Sequence, residues 1–281
     1  MNVEVVQTKT KTYSYISLLL LLGLIILRFP FIILAVLKVL PMNLSIGASI
    51  FQNGTYLLTA IFIWLNREEL RQFHLDTGAI LIFILAPILS FISYKVFIPF
   101  TPHPILTMNL PWFQIIISLI LFIALSYCHA ISYKINVRNM LKWIFISVVI
   151  GILTGVIYGY FIIPASSKVA SKASFAVAIF RFFNQLNNAA ALEEPLFRGF
   201  IWGYLVKLKR KESWIWLLQA FLFMLGHIYY LGSLNLAFFI GVPVTALVLG
   251  LLVWKSKSIG TSMTAHALIN TFGDLIAHYR W

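Results

Sequence analysis

The chain has 281 residues, of which 61% are hydrophobic and only 10% charged, with a net charge of +13. A soluble domain carries roughly a quarter charged residues, so a soluble enzyme of this length is excluded. The cations sit in short loops between apolar runs, which is the pattern of topology signals and not of a nucleic-acid-binding face.

A membrane-spanning helix needs about 20 apolar residues. By that measure, spans fall near 14–39, 44–65, 77–99, 112–133, 142–163, 189–206, 213–231, 234–253 and 259–278. The fold class is all-α, a polytopic transmembrane helix bundle of about eight to nine spans, because lone strands leave backbone groups unsatisfied in lipid. Residues 1–165 supply the N-terminal helices and 166–281 the region that carries the acids within spans, together one integral membrane domain.

The first run, from Tyr13 to Leu40, is too long for a signal-peptide core and lacks a small-residue cleavage site. It reads as one long or broken span, with a kink expected at Arg28-Phe29-Pro30. Arg28, Lys38, Lys95 and Lys142 read as span-end side chains that reach the interface. Glu68-Glu69-Leu70-Arg71 reads as a solvated loop. Cys128, the single cysteine, excludes a disulfide within one chain and reads as a small buried hydrophobe. His129 reads as a packing or interfacial histidine. Gly151 with Gly155, and Gly199 with Gly203, have the spacing of close helix contacts. Trp64, Trp112, Trp254 and Tyr279 read as interfacial anchors.

Loop charge alternates. Lys9 and Lys11 precede the first span; Arg67 and Arg71 follow the second; Lys134, Arg138 and Lys142 the fourth; Lys207 to Lys211 the sixth; Lys255 and Lys257 the eighth. Intervening loops are poor in cations, Lys168 and Lys172 excepted, so a cytoplasmic N-terminus in the cell membrane is expected. Arg181, Asn184 and Asn188 form a polar stripe in 175–188, expected to lie at the outer interface before the chain turns inward.

Three spans carry the unusual residues. The sixth has Glu193, Glu194 and Arg198, the seventh Phe223 and His227, the ninth His266, Asn270 and Asp274. Ionisable groups are costly in hydrocarbon, so they point to function. Glu194 and Arg198 share a helix face, which leaves Glu193 free for chemistry. Pro195 is tolerated if its helix begins near Asn188 to Leu192, placing it in the first turn. Counted at about 1.5 Å per residue, Glu193 lies ~21 Å from Lys207, His227 ~24 Å from Lys211, and Asn270 ~20 Å and His266 ~14 Å from Lys257. These similar depths allow the groups to converge. A carboxylate in low dielectric serves as a general base, imidazoles hold water, shuttle protons or bind metal, and an amide donates to an oxyanion. Together these suit peptide hydrolysis. Asp274 either orients His266 or Asn270 or reaches the outer interface.

At these residues the chain resembles the CPBP family, the CAAX protease and bacteriocin-processing group also called ABI, and within it the type II CAAX prenyl endopeptidases. The shared pattern is Glu193-Glu194-x-x-x-Arg198, Phe223-x-x-x-His227 and His266-x-x-x-Asn270 on separate spans, over about 180–275. The resemblance implies an intramembrane endopeptidase acting on a membrane-associated or prenylated, CAAX-like substrate. It implies that Glu193 activates water with help from His227, that His266 and Asn270 form the oxyanion site, and that Glu194 and Arg198 support the geometry. A metalloprotease alternative stays open, with zinc on Glu193, His227 and His266. The cavity is expected to be reached from the cytoplasmic side, and the partners are a peptide or membrane-protein substrate and the bilayer, with no nucleic acid. Two other readings stand beside this one: a non-catalytic immunity or scaffold protein on the same fold, and an ion-coupled transporter. The transporter predicts pseudo-symmetric halves, whereas the acids within spans all fall in the last third.

Overall fold

The computed structural model describes residues 15–97, 111–130, 137–163 and 175–279. Lys9, Lys11, Lys134, Lys168, Lys172, most of the 100–111 loop and the side chain of Tyr279 lie outside the described residues. Among those described there are nine helices and no strand. They are α1 (Tyr15–Val36), α2 (Leu44–Leu65), α3 (Thr77–Phe97), α4 (Trp112–Tyr127), α5 (Val137–Phe161), α6 (175–207), α7 (Glu212–Leu225), α8 (Ala237–Ser256) and α9 (Ile259–Tyr279). α1, α2, α3, α5 and α8 are each long and apolar enough to cross a membrane, and α4 and α7 are shorter apolar helices. α6 and α9 carry the polar constellation. The bundle is that of an integral membrane protein.

Several expectations change. The stripe at 175–188 is not a separate interfacial segment: it is the first half of α6, which runs without interruption to Lys207. Val177 and Phe180 are buried, and this half of α6 packs against α3 and α9. Apolar burial inside the bundle therefore outweighs the pull of the interface on Arg181. Pro195 consequently sits in mid-helix, not in a first turn. It opens a π-helical stretch, Pro195–Ile201, whose wider turn absorbs a proline that an α-helix would resist. α4 stops at Tyr127, so Cys128 falls in the turn beyond it and is exposed, not buried. His129 lies in the same turn, exposed and with φ of 51°. Lys38, Lys95 and Lys142 are exposed near helix ends as expected. Arg28 is not: it is 4% exposed.

Small residues set the closest approach. α5 lies against α9 along Gly151, Gly155 and Gly159, and a Cβ at Gly155 would stand 2.9 Å from the carbonyl oxygen of Ile269. Gly199 and Gly203 let α6 approach the turn Leu70–Phe73; a Cβ at Gly203 would stand 2.8 Å from the carbonyl of Gln72. Aromatic rings fill the space beside that turn, with Phe62 stacked on Phe200 at 3.7 Å between centroids.

The cation-bearing loops meet at one end of the bundle. Lys207 pairs with Glu69 at 2.7 Å and Lys257 with Glu212 at 2.8 Å. Ser258 Oγ donates to Asp76 at 2.8 Å, and the Ile259 amide donates to the His74 carbonyl at 2.9 Å. Ser17 bonds Asn66 at 3.2 Å, which brings the start of α1 to the same end. The alternation of loop charge thus corresponds to a real polarity of the bundle.

Candidate active site

Four π-helical stretches surround the polar cluster: Leu27–Phe31, Leu186–Ala190, Pro195–Ile201 and Ala237–Gly241. Such bulges recur at functional sites, because the extra residue per turn re-aims side chains and frees backbone groups. Here the first holds Arg28, and the second and third flank Glu193 and Glu194.

Glu194 is fully buried and its Oε1 accepts from two groups. Arg198 Nη1 lies 3.1 Å away, one turn on, and His266 Nδ1 lies 2.7 Å away on α9. Arg198 also donates from Nη2 to the Ala246 carbonyl at 3.2 Å, and its guanidinium lies 4.3 Å from the Phe223 ring centroid. That contact explains the phenylalanine of the second motif: its π-face lies against the buried cation. A neutral His266 that donates from Nδ1 to Glu194 presents Nε2 as a bare lone pair.

His227 is not within a helix. α7 ends at Leu225, and His227 follows it at the start of a 3₁₀ turn, Ile228–Tyr230. Its Nδ1 lies 2.8 Å from the Phe223 carbonyl, so the ring donates to a helix-end carbonyl and turns Nε2 inward.

Glu193 is not the free acid expected. Its Oε1 is 2.8 Å from Arg28 Nη1. Arg28 Nη2 lies 3.2 Å from Nε2 and 3.4 Å from Nδ1 of His227. An arginine in hydrocarbon must find an anion, and the π turn at Leu27–Phe31 places this one against the acid on α6. The other oxygen, Oε2, is buried with no hydrogen-bond partner among the described residues. It lies 4.0 Å from His227 Nε2 and 4.0 Å from His266 Nε2.

The hydrogen bond of Asn270 goes to neither Glu193 nor the imidazoles. Its Nδ2 donates to Gln185 Oε1 at 3.0 Å, and both side chains line a cavity of about 350 Å³ together with Glu193, His227 and His266. Asp274 also lines it and pairs with Arg181 at 3.6 Å, tying α9 to α6. Arg28 and Gln185 are the residues that sequence reasoning missed.

The lining residues Tyr158, Gln185, Thr245 and Asp274 lie toward the ends of their helices remote from Lys207 and Lys257, Leu234 lies in the segment before α8, and Glu193 lies midway along α6. The cavity therefore faces the end opposite the cation-rich loops. Sequence reading expects access from the side of those loops, whereas the lining of this cavity lies toward the other end.

Residues 173–272 match the family described as Type II CAAX prenyl endopeptidase Rce1-like. They are a CAAX-protease-family region. The resemblance to the CPBP group is borne out on this stretch, which holds every motif residue named from the sequence. No curated protein and no solved structure gave a significant match. The family implies proteolysis, with a peptide or membrane-protein substrate. α1 to α5, and Arg28 with them, lie outside the matched region.

The metal alternative meets a geometric obstacle. Among the described residues no group of three His, Cys, Asp or Glu side chains is arranged to hold a metal ion. Beside Glu193 and His227 stands the guanidinium of Arg28, a charge that repels a dication. As arranged, these residues do not fit zinc.

Proposed function

We propose that this protein is an intramembrane endopeptidase in which Glu193 activates a water molecule. The observation that carries the reading is the unpartnered Oε2 of Glu193, buried at the cavity and facing two imidazole Nε2 atoms at 4.0 Å each. His227 Nε2 already meets Arg28 Nη2, so Glu193 Oε2 and His266 Nε2 are the two acceptors left around this point, and they suit a molecule that brings two O–H donors. A buried acceptor without a partner costs about 1–3 kcal/mol, so water binding there is favourable.

In this reading Glu193 takes a proton from water as the C–O bond to the scissile carbonyl forms. It returns that proton to the amine as the C–N bond breaks. His266 Nε2 faces the same point and exchanges protons with the water or the leaving amine, while Glu194 and Arg198 fix the ring. Asn270 lines the cavity and, with one amide N–H held by Gln185, has a second N–H to offer an oxyanion.

The orientation follows from charge. With the cation-rich loops cytoplasmic, the N-terminus is cytoplasmic and the cavity faces the outer side of the cell membrane. That favours a peptide or membrane-protein segment presented from outside over a prenylated chain on the cytoplasmic leaflet.

The test is cleavage by the purified full-length protein in bilayers, using a library of membrane-associated peptides. Glu193→Gln keeps a hydrogen-bond acceptor for Arg28 but cannot take a proton, and it is expected to abolish cleavage while the protein stays folded. Undiminished cleavage by this variant overturns the mechanism. A chelator series on the wild type is expected to leave cleavage unchanged.

A further inference from the structure

We propose that Arg28, on the first helix and outside the family-matched region, is a positioning residue of this site. It holds one oxygen of Glu193 so that the other is the only one offered to water. The inference rests on the proposed role of Glu193 and extends the site to a part of the chain where no motif was found.

The geometry divides the carboxylate into two unlike oxygens. Oε1 is held by Arg28 Nη1 at 2.8 Å. Oε2 has no hydrogen-bond partner among the described residues and faces His227 and His266. The terminal torsion of a glutamate is broad and nearly two-fold, so an unheld carboxylate would turn either oxygen, or neither, toward the cavity. The same guanidinium reaches His227 through Nη2. A single planar fork thus sets the acid and one imidazole relative to each other, a task for which a rigid guanidinium is suited and a flexible ammonium is not. Arg28 does not line the cavity. It stands behind the acid, where a substrate does not reach, and so it acts through Glu193.

The surroundings are shaped for this cation. Gly226 precedes His227, and a Cβ there would stand 3.0 Å from Arg28 Nε. The Phe51 ring on α2 lies 5.8 Å from the guanidinium carbon. The Leu27–Phe31 π turn, with Pro30 inside it, directs the side chain inward. Helix, glycine and ring converge on a side chain that a span needs for no other purpose.

The experiment compares Arg28→Lys, Arg28→Gln and Glu193→Gln in full-length protein in bilayers, with kcat and KM measured separately and thermal unfolding followed in parallel. Displacement of a reacting group by about 1 Å costs on the order of 100-fold in rate. Arg28→Gln is therefore expected to lower kcat by about that factor with KM little changed, and Arg28→Lys, which keeps the charge without the fork, to recover only part of the loss. Gly226→Ala, which crowds the guanidinium without removing it, is expected to lower kcat in the same sense and covers the case in which Arg28→Gln fails to fold. Wild-type kcat in Arg28→Gln, or in Gly226→Ala where Arg28→Gln does not fold, overturns the positioning role. So does a fall in kcat that only tracks lost unfolding temperature, or Arg28→Lys no better than Arg28→Gln. If instead Glu193→Gln cleaves like the wild type, the proposed function fails and this inference with it, which separates the two failures.

Discussion

Glu193 and Glu194 are adjacent in sequence, yet about 100° of helix rotation gives them different partners. Glu194 meets the cation of its own helix and an imidazole of α9, both on one oxygen. Glu193 meets a cation from α1 and keeps one oxygen free. Arg198 serves Glu194 as a fork, with one nitrogen on the carboxylate, another on the Ala246 carbonyl and its plane near Phe223. Arg198→Lys keeps the charge but loses the second bond and the ring contact. A hydrogen bond to a charged group contributes about 1.5–3 kcal/mol, so this substitution is expected to destabilise by roughly that much, read as a lower unfolding midpoint in detergent. A wild-type midpoint contradicts it. His74, in the loop between α2 and α3, supports the same residue from outside the spans: its Nδ1 lies 3.2 Å from the Arg198 carbonyl. Burial holds this imidazole below its ordinary value of 6.5, and the bond to the Arg198 carbonyl offsets that only in part. The unfolded chain therefore takes up a proton near pH 6.5 that the folded chain takes up only at lower pH. This contribution to stability is complete above about pH 6.5 and is lost as pH falls toward the folded value. His74→Gln, which can still donate to the carbonyl, is expected to flatten the acid side of the stability profile between about pH 7 and pH 5. An unchanged slope argues that other groups set it.

At the scale of elements, the helices were legible because a span is a length of apolar residues, and lipid leaves the backbone no other way to satisfy itself. The motif residues were legible because charge in hydrocarbon must have a reason. Arg28 shared that signal, but a neighbouring proline made a kink and a snorkelling side chain an adequate account. Its partner lies on α6, and pairing across so many residues leaves no local trace. The continuity of α6 was hidden for a different reason. Proline and a polar stripe both read as a boundary, whereas the fold keeps the helix by widening its turn at Pro195–Ile201. The glycines of α5 were legible as spacing, although their partner was not. Gly155 faces α9 where Ile269 and Asn270 line the cavity. A side chain there meets a backbone oxygen at 2.9 Å and the Phe272 Cβ at 2.9 Å, which cannot give way without moving α9. Gly155→Val is therefore expected to cost about 1–3 kcal/mol by overpacking and to lower cleavage along with stability. Gly78→Ala, whose nearest atom would be at an ordinary 3.6 Å, is the neutral control. Equal behaviour of the two variants contradicts tight α5–α9 packing.

For the whole molecule, residue depth and the cavity place the polar cluster beyond the middle of the bilayer, away from the cation-rich loops. Glu193, His227 and Asn270 lie ~20 Å or more from the cation-rich end, beyond the middle of a hydrocarbon core about 30 Å thick. The cavity continues from there toward the opposite end, past Tyr229, Tyr230 and Leu234. Positive-inside bias sets orientation through short loops, and the loops that pair at Glu69–Lys207 and Glu212–Lys257 form one such end. A single cysteine makes the prediction direct. On a Cys128→Ser background, Leu234→Cys marks the cavity end and Lys209→Cys the cation-rich end. A membrane-impermeant maleimide added to intact cells is expected to label the Leu234→Cys protein and spare the Lys209→Cys protein, with both labelled after permeabilisation. The reverse pattern inverts the bundle and turns the cavity to the cytoplasm. In that case the site geometry stands, but the substrate arrives from inside, and a prenylated cytoplasmic chain takes the place of an externally presented peptide.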